Sequence, residues 1–272
     1  MITLKNALEY TENALIEQGI DEAEFKALCL VCHVADIRNR EFFINSKKQI
    51  EEQKLYPLIN RLSSGEPLQY IIGKWDFFES EFFVGEGVLI PRPETEELTM
   101  LAVKEAEKIK NPVVFDLCAG SGCIGISIAK KIASSKVICI EKSEKAFEFL
   151  KMNSKGVNNV CAVLADINDE LDLPKADIIV SNPPYIRSGD ISTLDKELSF
   201  EPKMALDGGE DGLDFYRIIK EKYFPNLKKG GMLLLEIGNE QGNDLKDLFC
   251  GFDTRIIKDM YGNDRIVKVS KD

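Results

Sequence analysis

Four consecutive residues carry the sharpest chemical signal in the chain. They are Asn182-Pro183-Pro184-Tyr185, directly after the apolar run Ile179-Val180-Ser181. Each proline fixes its own φ at about −65° and drives the preceding residue toward an extended conformation, so Asn182 and Pro183 are both stiffened. Two oxygens are thereby held at low entropic cost: the side-chain carbonyl of Asn182 and the backbone carbonyl of Pro183. Pro184 has no N–H to compete for them. Such a pair can accept both N–H bonds of a planar –NH2 group, whose delocalised lone pair makes it a poor nucleophile until it is oriented. Orientation of this kind lowers a barrier by several kcal/mol, and the acceptors also stabilise positive charge growing on nitrogen. Tyr185 offers a flat wall for the planar target. A bare Asn-Pro or Pro-Pro pair would mark only a loop. The four together point to catalysis and substrate binding.

The electrophile is read from a second cluster, Asp116-Leu117-Cys118-Ala119-Gly120-Ser121-Gly122-Cys123-Ile124-Gly125. Gly120, Gly122 and Gly125 match G-x-G-x-x-G, and Glu141 closes the next strand pattern, which together admit a nicotinamide dinucleotide. Asp116 opposes that assignment, because it sets a carboxylate where a pyrophosphate already brings negative charge. S-adenosylmethionine removes the conflict: it has no phosphates and carries an ammonium and a sulfonium. Asp116, Cys118, Ala119, Gly120, Ser121 and Gly122 then form the cofactor loop. Glu141 holds both ribose hydroxyls, Asp166 meets the adenine amino group, and Ile167 packs on the ring. In-line attack by the held –NH2 nitrogen on the sulfonium methyl releases neutral S-adenosylhomocysteine. No histidine base is needed, and His33 is the only histidine present.

Bulk properties narrow the partners. Lys and Arg number 35 against 46 acids, a net charge of -11, which repels phosphate backbones and makes direct nucleic-acid binding unexpected. No apolar run reaches the roughly 18 residues that would suggest a membrane span, and the opening residues lack a secretory pattern, so a cytoplasmic protein is expected. Cys29-Leu30-Val31-Cys32-His33 spells a haem-attachment motif, but it falls in an amphipathic helical stretch and reads as packing. One histidine and a single C-x-x-C serve zinc poorly, so no metal is expected.

The elements that position these residues follow from periodicity. Residues 3–62 read as helices. Leu4, Ala7, Leu8, Ala14 and Leu15 share one face, and Asp21 with Glu24 forms a capping box for a second helix to about Ala35. Shorter helices run from Arg38 to Ile44 and from Gln49 to Ser63. Trp75–Phe78 and Glu81–Val84 flank Glu79-Ser80 as a hairpin without a turn glycine. A helix then extends to about Lys110. Beyond it, strand patterns at Val113–Leu117, Lys136–Glu141, Asn159–Leu164, Ala176–Ser181, Met232–Ile237, Thr254–Lys258 and Arg265–Val269 alternate with helices at Cys123–Ile132, Glu144–Lys155 and Gly212–Lys222. This predicts an α/β fold, Rossmann-like, with a seven-stranded and mostly parallel sheet whose last strand is antiparallel. The domains are expected at 1–73 (helical bundle, substrate recognition), 74–90 (hairpin connector) and 91–272 (methyltransferase).

These marks together resemble the release factor glutamine methyltransferases, the HemK/PrmC family. They are Gly65-Glu66-Pro67-Leu68-Gln69-Tyr70-Ile71, Ile90-Pro91-Arg92-Pro93-Glu94-Thr95-Glu96, Asp116 to Gly125, Asn182 to Tyr185, and Phe200-Glu201-Pro202 leading to Leu206-Asp207-Gly208-Gly209. The resemblance implies a class I methyltransferase fold and methylation of N5 of the glutamine in the Gly-Gly-Gln motif of peptide-chain release factors. It places cofactor contacts on Cys118 to Gly122, Glu141, Ile167 and Asn182. Cys118 stands where many relatives have glycine, and close backbone approach is expected there with negative φ. Arg92, Glu94, Thr95 and Glu201 either order the substrate loop or brace the connector. The competing readings are an N6-adenine nucleic-acid methyltransferase, which flips its target base, and an idle module that docks on translation factors.

Overall fold

The computed structural model describes residues 1–194 and 196–271, which form two compact units, Met1–Lys74 and Trp75–Asp272.

In the first unit, β1 (Ile2–Thr3) leads into α1 (Leu4–Glu17), capped where the Thr3 side chain accepts the Asn6 N–H at 3.3 Å. The face of α1 that is buried carries Leu4, Ala7, Thr11 and Leu15. Leu8 and Ala14 are only half-buried, so Thr11 takes the place expected of an aliphatic residue. Helix α2 (Ala23–Ala35) buries Cys29 and Cys32, as packing residues. It lacks the expected capping box. Its N-cap is Glu22, in the left-handed region at φ 54°, with no side-chain cap, because the chain turns sharply before Ala23. Arg38–Ile44 does not form a helix beyond a single turn at Asn39–Glu41. Phe42 is buried, but Phe43 and Ile44 are 84% and 88% exposed, so the segment has no apolar face to hold a helix in place. Gln49–Ile50 is β2, paired antiparallel with β1, and the helical pattern resumes only at α3 (Leu55–Ser63) and α4 (Leu68–Ile72).

A hairpin follows, β3 (Lys74–Phe77) and β4 (Ser80–Phe83), all but its first residue in the second unit. Its turn dispenses with glycine because Phe78 itself adopts φ 56°, tied by its N–H to Glu96 at 2.9 Å. Helix α5 (Pro93–Ala106) begins with proline at its first position, where a missing N–H costs nothing. It ends four residues before the expected Lys110.

The remainder is wound as β5 (Val113–Leu117), α6 (Cys123–Lys131), β6 (Lys136–Glu141), α7 (Glu144–Asn153), β7 (Val160–Leu164), β8 (Ala176–Ser181), α8 (Asp214–Ile218), β9 (Leu227–Glu236), α9 (Gly242–Leu248), β10 (Asp253–Lys258) and β11 (Asp264–Ser270). The sheet order is β10-β11-β9-β8-β5-β6-β7. Only β11 runs against its neighbours, pairing antiparallel with both β9 and β10. Successive side chains alternate between the faces. Val114, Ile178 and Leu234 join one core with Leu98 of α5, Ile126 of α6 and Leu150 of α7. Phe115, Ile179 and Leu233 join the other, with Tyr216 of α8 and Leu245 of α9. Both faces are covered, which is why these strands read as continuous apolar runs. The helix expected from Gly212 starts at Asp214, because Gly212 is left-handed at φ 77°, and a wider π-turn carries it through Ile219–Tyr223.

Candidate active site

The winding of the sheet reverses at β5, with β6 and β7 on one side and β8 and β9 on the other. A ligand crevice is expected at the carboxyl ends of the strands at such a switch point. Register sets Leu117 beside Ser181 and Ser181 beside Leu235, and Ser181 Oγ donates to the Leu117 carbonyl at 2.6 Å. Cys118 and Asn182 follow directly on β5 and β8, and Glu236 is the last residue of β9, so the three close adjacent strands at the same edge of the sheet.

A cavity of about 310 Å³ opens there, within the roughly 300–1,000 Å³ of small-molecule sites. Its wall brings together Cys118, Ala119, Gly120, Ser121, Glu141, Asp166, Ile167, Asn182 and Pro184 from the sequence-predicted set. Asp116, Gly122, Pro183 and Tyr185 lie outside that wall.

The case of Asp116 corrects the expectation that it meets a cationic ligand. Alternation along β5 turns its side chain to the face covered by α6. There it is fully buried and accepts the Gly125 N–H at 2.8 Å. Burial pushes its pKa up to about 7, against the opposing effect of that hydrogen bond. It braces the start of α6 beneath the loop. Gly122 likewise serves packing, as the left-handed N-cap of α6 at φ 80°, where a Cβ would collide with Leu150 and Ile126. Cys118 departs from the negative φ expected of it and adopts +56°. The loop keeps its glycine-like path, at a cost of roughly 1–2 kcal/mol for a residue with a side chain.

Glu141 is buried at the cavity edge. Its Oε2 accepts the Gly120 N–H at 2.7 Å and its Oε1 the Ser143 N–H at 2.6 Å. Burial raises its pKa, partly offset by these bonds. The carboxylate is thereby fixed, with its remaining lone pairs left for hydroxyl donors. Asp166 Oδ2 pairs with Lys142 at 2.6 Å, and its Oδ1 accepts the Asn168 N–H at 2.9 Å. Burial works against its charge, but the hydrogen bonds from Lys142 and Asn168 outweigh it and hold the pKa low.

Of the cations that line the cavity, Lys142 is bound to Asp166 and Arg92 to the buried Glu201. Both are neutralised internally, so the wall is better matched to a cation with hydroxyls than to a pyrophosphate. The lining, with the acceptors Glu141 and Asp166 and the apolar Ile167, fits S-adenosylmethionine.

Asn182 is oriented by residues whose part was not legible beforehand. Its Nδ2 donates to Thr95 Oγ1 at 3.1 Å, and Thr95 Oγ1 donates to Glu236 Oε2 at 2.6 Å. Thr95 lay within a segment of unassigned role. Glu236 carried one faint signal, an acid closing the apolar run Met232-Leu233-Leu234-Leu235. Tyr185 is fixed at its backbone, where Gln241 Nε2 donates to its carbonyl at 3.2 Å and Gly208 packs so closely that a Cβ would stand 2.7 Å from the Tyr185 Cα. Its hydroxyl faces Glu236 Oε1 at 3.5 Å.

Comparison with known proteins places this geometry. The profile of the PrmC N-terminal domain matches residues 6–73, and that of the methyltransferase small domain matches residues 95–206. A release factor glutamine methyltransferase of Thermodesulfovibrio yellowstonii is 38% identical, over 89% of this chain and 90% of its own length. One from Clostridium acetobutylicum is 39% identical over 85% of both chains, and one from Geobacter sulfurreducens 33% identical over 97% and 95%. Among solved structures, the hMettl16 catalytic domain bound to the MAT2A 3'UTR hairpin 6 superposes with a TM-score of 0.55 at 13% identity, over 71% of this chain and 76% of that one. Precorrin-6y C5,15-methyltransferase of Geobacter metallireducens gives 0.51 at 15% identity, over 72% and 98%. At such identities these two show the fold alone. With relatives at this identity along nearly its whole length, the chain belongs to the release factor glutamine methyltransferase family.

Proposed function

We infer that this protein transfers a methyl group from S-adenosylmethionine to the side-chain amide nitrogen of the glutamine in the Gly-Gly-Gln motif of a peptide-chain release factor. The observation that carries the reading is the hydrogen bond from Asn182 Nδ2 to Thr95. Because the amide nitrogen is engaged there, Oδ1 is the end left to accept from a substrate N–H.

When bound, S-adenosylmethionine would supply a sulfonium methyl as the electrophile and leave as the neutral thioether. Asn182 Oδ1 and the Pro183 carbonyl would each accept one N–H of the target amide, which would orient its nitrogen and stabilise the charge that grows on it until one N–H proton is lost to solvent. Pro184 lines the cavity beside Asn182. Tyr185, anchored by Gln241, confines the plane of the target. Glu141 and the loop Cys118–Ser121 would hold the cofactor. The helical unit, residues 1–73, recognises the protein substrate, and its removal is expected to raise KM for the release factor more than KM for the cofactor.

The net charge of -11 accords with a protein rather than a nucleic-acid substrate. The test is transfer of labelled methyl from S-adenosylmethionine to a purified bacterial release factor, with duplex DNA and RNA hairpins in parallel. Label in the release factor, lost when its Gly-Gly-Gln glutamine is replaced, supports the assignment. Label in nucleic acid alone overturns it. Among the described residues, no helix is long and apolar enough to cross a membrane.

A further inference from the structure

Beyond the residues that face the cavity, Glu236 stands out as a buried acid with a directed set of contacts. It closes β9, one strand from Asn182, and is 2% exposed. Its Oε2 accepts from Thr95 Oγ1 at 2.6 Å, and the same Thr95 oxygen receives Asn182 Nδ2 at 3.1 Å. Its backbone carbonyl accepts from Tyr216 Oη at 2.8 Å, and the Thr95 carbonyl accepts from Thr99 Oγ1 at 2.9 Å, so both ends of the pair are tied down.

The chemistry of this chain has a direction. An ionised carboxylate only accepts hydrogen bonds. It therefore takes the Thr95 hydroxyl proton and leaves Thr95 Oγ1 with lone pairs alone toward Asn182. Only the –NH2 end of the Asn182 amide can satisfy those lone pairs, and its carbonyl end would be repelled. If Glu236 is protonated, it can donate to Thr95 Oγ1, and the freed hydroxyl can donate in turn to Asn182 Oδ1. Both amide orientations then become comparable, and one of them presents –NH2 where an acceptor is needed.

We propose that Glu236, acting through Thr95, is the positioning residue that fixes which end of the Asn182 amide meets the target nitrogen. This rests on the reading of Asn182 as the amide acceptor.

The groups facing Glu236 are Thr95 and Glu94 from α5, Tyr185 after β8, Tyr216 from α8, Arg265 from β11 and Cys123 from α6. Burial pushes its pKa up to about 7, opposed by the Thr95 hydrogen bond and by Arg265, which also pairs with Asp259 at 3.3 Å. The switch in direction therefore falls near neutral pH, with the ordered, active arrangement on the alkaline side.

The experiment measures kcat and KM for methyl transfer to a release factor between pH 5.5 and 8.5, with thermal unfolding of each variant alongside. The variants are Glu236→Gln, Thr95→Val, Thr95→Ser and Asn182→Ala. Wild type is expected to lose about tenfold in kcat below an acid limb near pH 7. Glu236→Gln should run without that limb, at about the low-pH level, with KM for S-adenosylmethionine within about twofold. Thr95→Val should behave alike, and Thr95→Ser should restore both rate and limb. If Glu236→Gln keeps the wild-type kcat and the same limb while Asn182→Ala is inactive, the positioning role is overturned and the acceptor reading stands. If Asn182→Ala remains active, the acceptor reading itself falls. Loss of thermal stability with an unchanged pH profile would make Glu236 a structural residue and also overturn the proposal.

Discussion

The Gly125 N–H points at Asp116 Oδ2 across 2.8 Å, and a Cβ added at position 125 would stand 2.8 Å from that same oxygen and 2.5 Å from Cys139 Sγ. Helix α6 thus touches the sheet through bare backbone in its first turn. The last glycine of the G-x-G-x-x-G pattern serves this packing and is not among the residues that line the cavity. Gly125→Ala is expected to destabilise the protein by about 1–3 kcal/mol, the range for overpacking a tight interior. Denaturant unfolding reads this directly, and a change under 0.5 kcal/mol would show that α6 can shift away from the sheet.

Asp116 also makes stability depend on pH. Its folded-state pKa of about 7 lies above the ~3.9 of an unfolded aspartate. Between those values the folded chain binds the extra proton, so this group's contribution to stability falls as pH rises from about 4 to about 7, by about 4 kcal/mol in total. Asn at this position keeps an acceptor for the Gly125 N–H and does not titrate. Asp116→Asn should therefore flatten the stability profile across that window and gain most at alkaline pH. Unfolding titrations of both proteins at pH 5 and pH 8 decide it.

Cys118 carries a side chain at φ 56° where the loop meets the cavity. Cys118→Gly should relieve roughly 1 kcal/mol of backbone strain and leave affinity for S-adenosylhomocysteine within a few-fold. Cys118→Val should cost about 1–3 kcal/mol, because a β-branched residue resists positive φ. Calorimetric titration beside a melting curve separates the two effects.

Arg92 and Glu201 form an ion pair whose carboxylate is buried and also accepts the Ile90 N–H at 2.9 Å. The pair fastens the Ile90–Arg92 segment to Glu201, next to Pro202, and Ile90, Pro91, Arg92 and Pro202 line the cavity. Removing the cation strands a buried charge. Arg92→Ala is expected to cost about 2–4 kcal/mol, less than a fully buried pair because Arg92 is partly exposed. Adding Glu201→Gln should recover most of that loss. A double-mutant cycle in unfolding free energy measures the coupling, and independent, additive effects would contradict it.

The strands were readable because parallel β-strands covered on both faces must be apolar throughout, and the loop and Asn182 segments because glycine and proline at those spacings restrict the backbone. Legibility failed where tertiary contacts override local pattern. The N-cap of α2 goes to a left-handed Glu22, and no sequence rule anticipates it. Asp116 neighbours the glycine loop in sequence, yet strand alternation turns it toward α6. The Thr95–Glu236 link spans 141 residues and exists only once α5 and β9 are packed together. A one-dimensional reading could not pair them, so the residues that orient the amide stayed hidden although the amide itself did not.

The most direct test is tandem mass spectrometry of a release factor after incubation with S-adenosylmethionine and either the wild-type enzyme or Asn182→Ala. The structure predicts a single added methyl on the Gly-Gly-Gln glutamine with wild type. It predicts a rate lower by about 10²–10³ with the variant, while S-adenosylhomocysteine still binds. A methyl group on any other residue, or undiminished modification by Asn182→Ala, would contradict it.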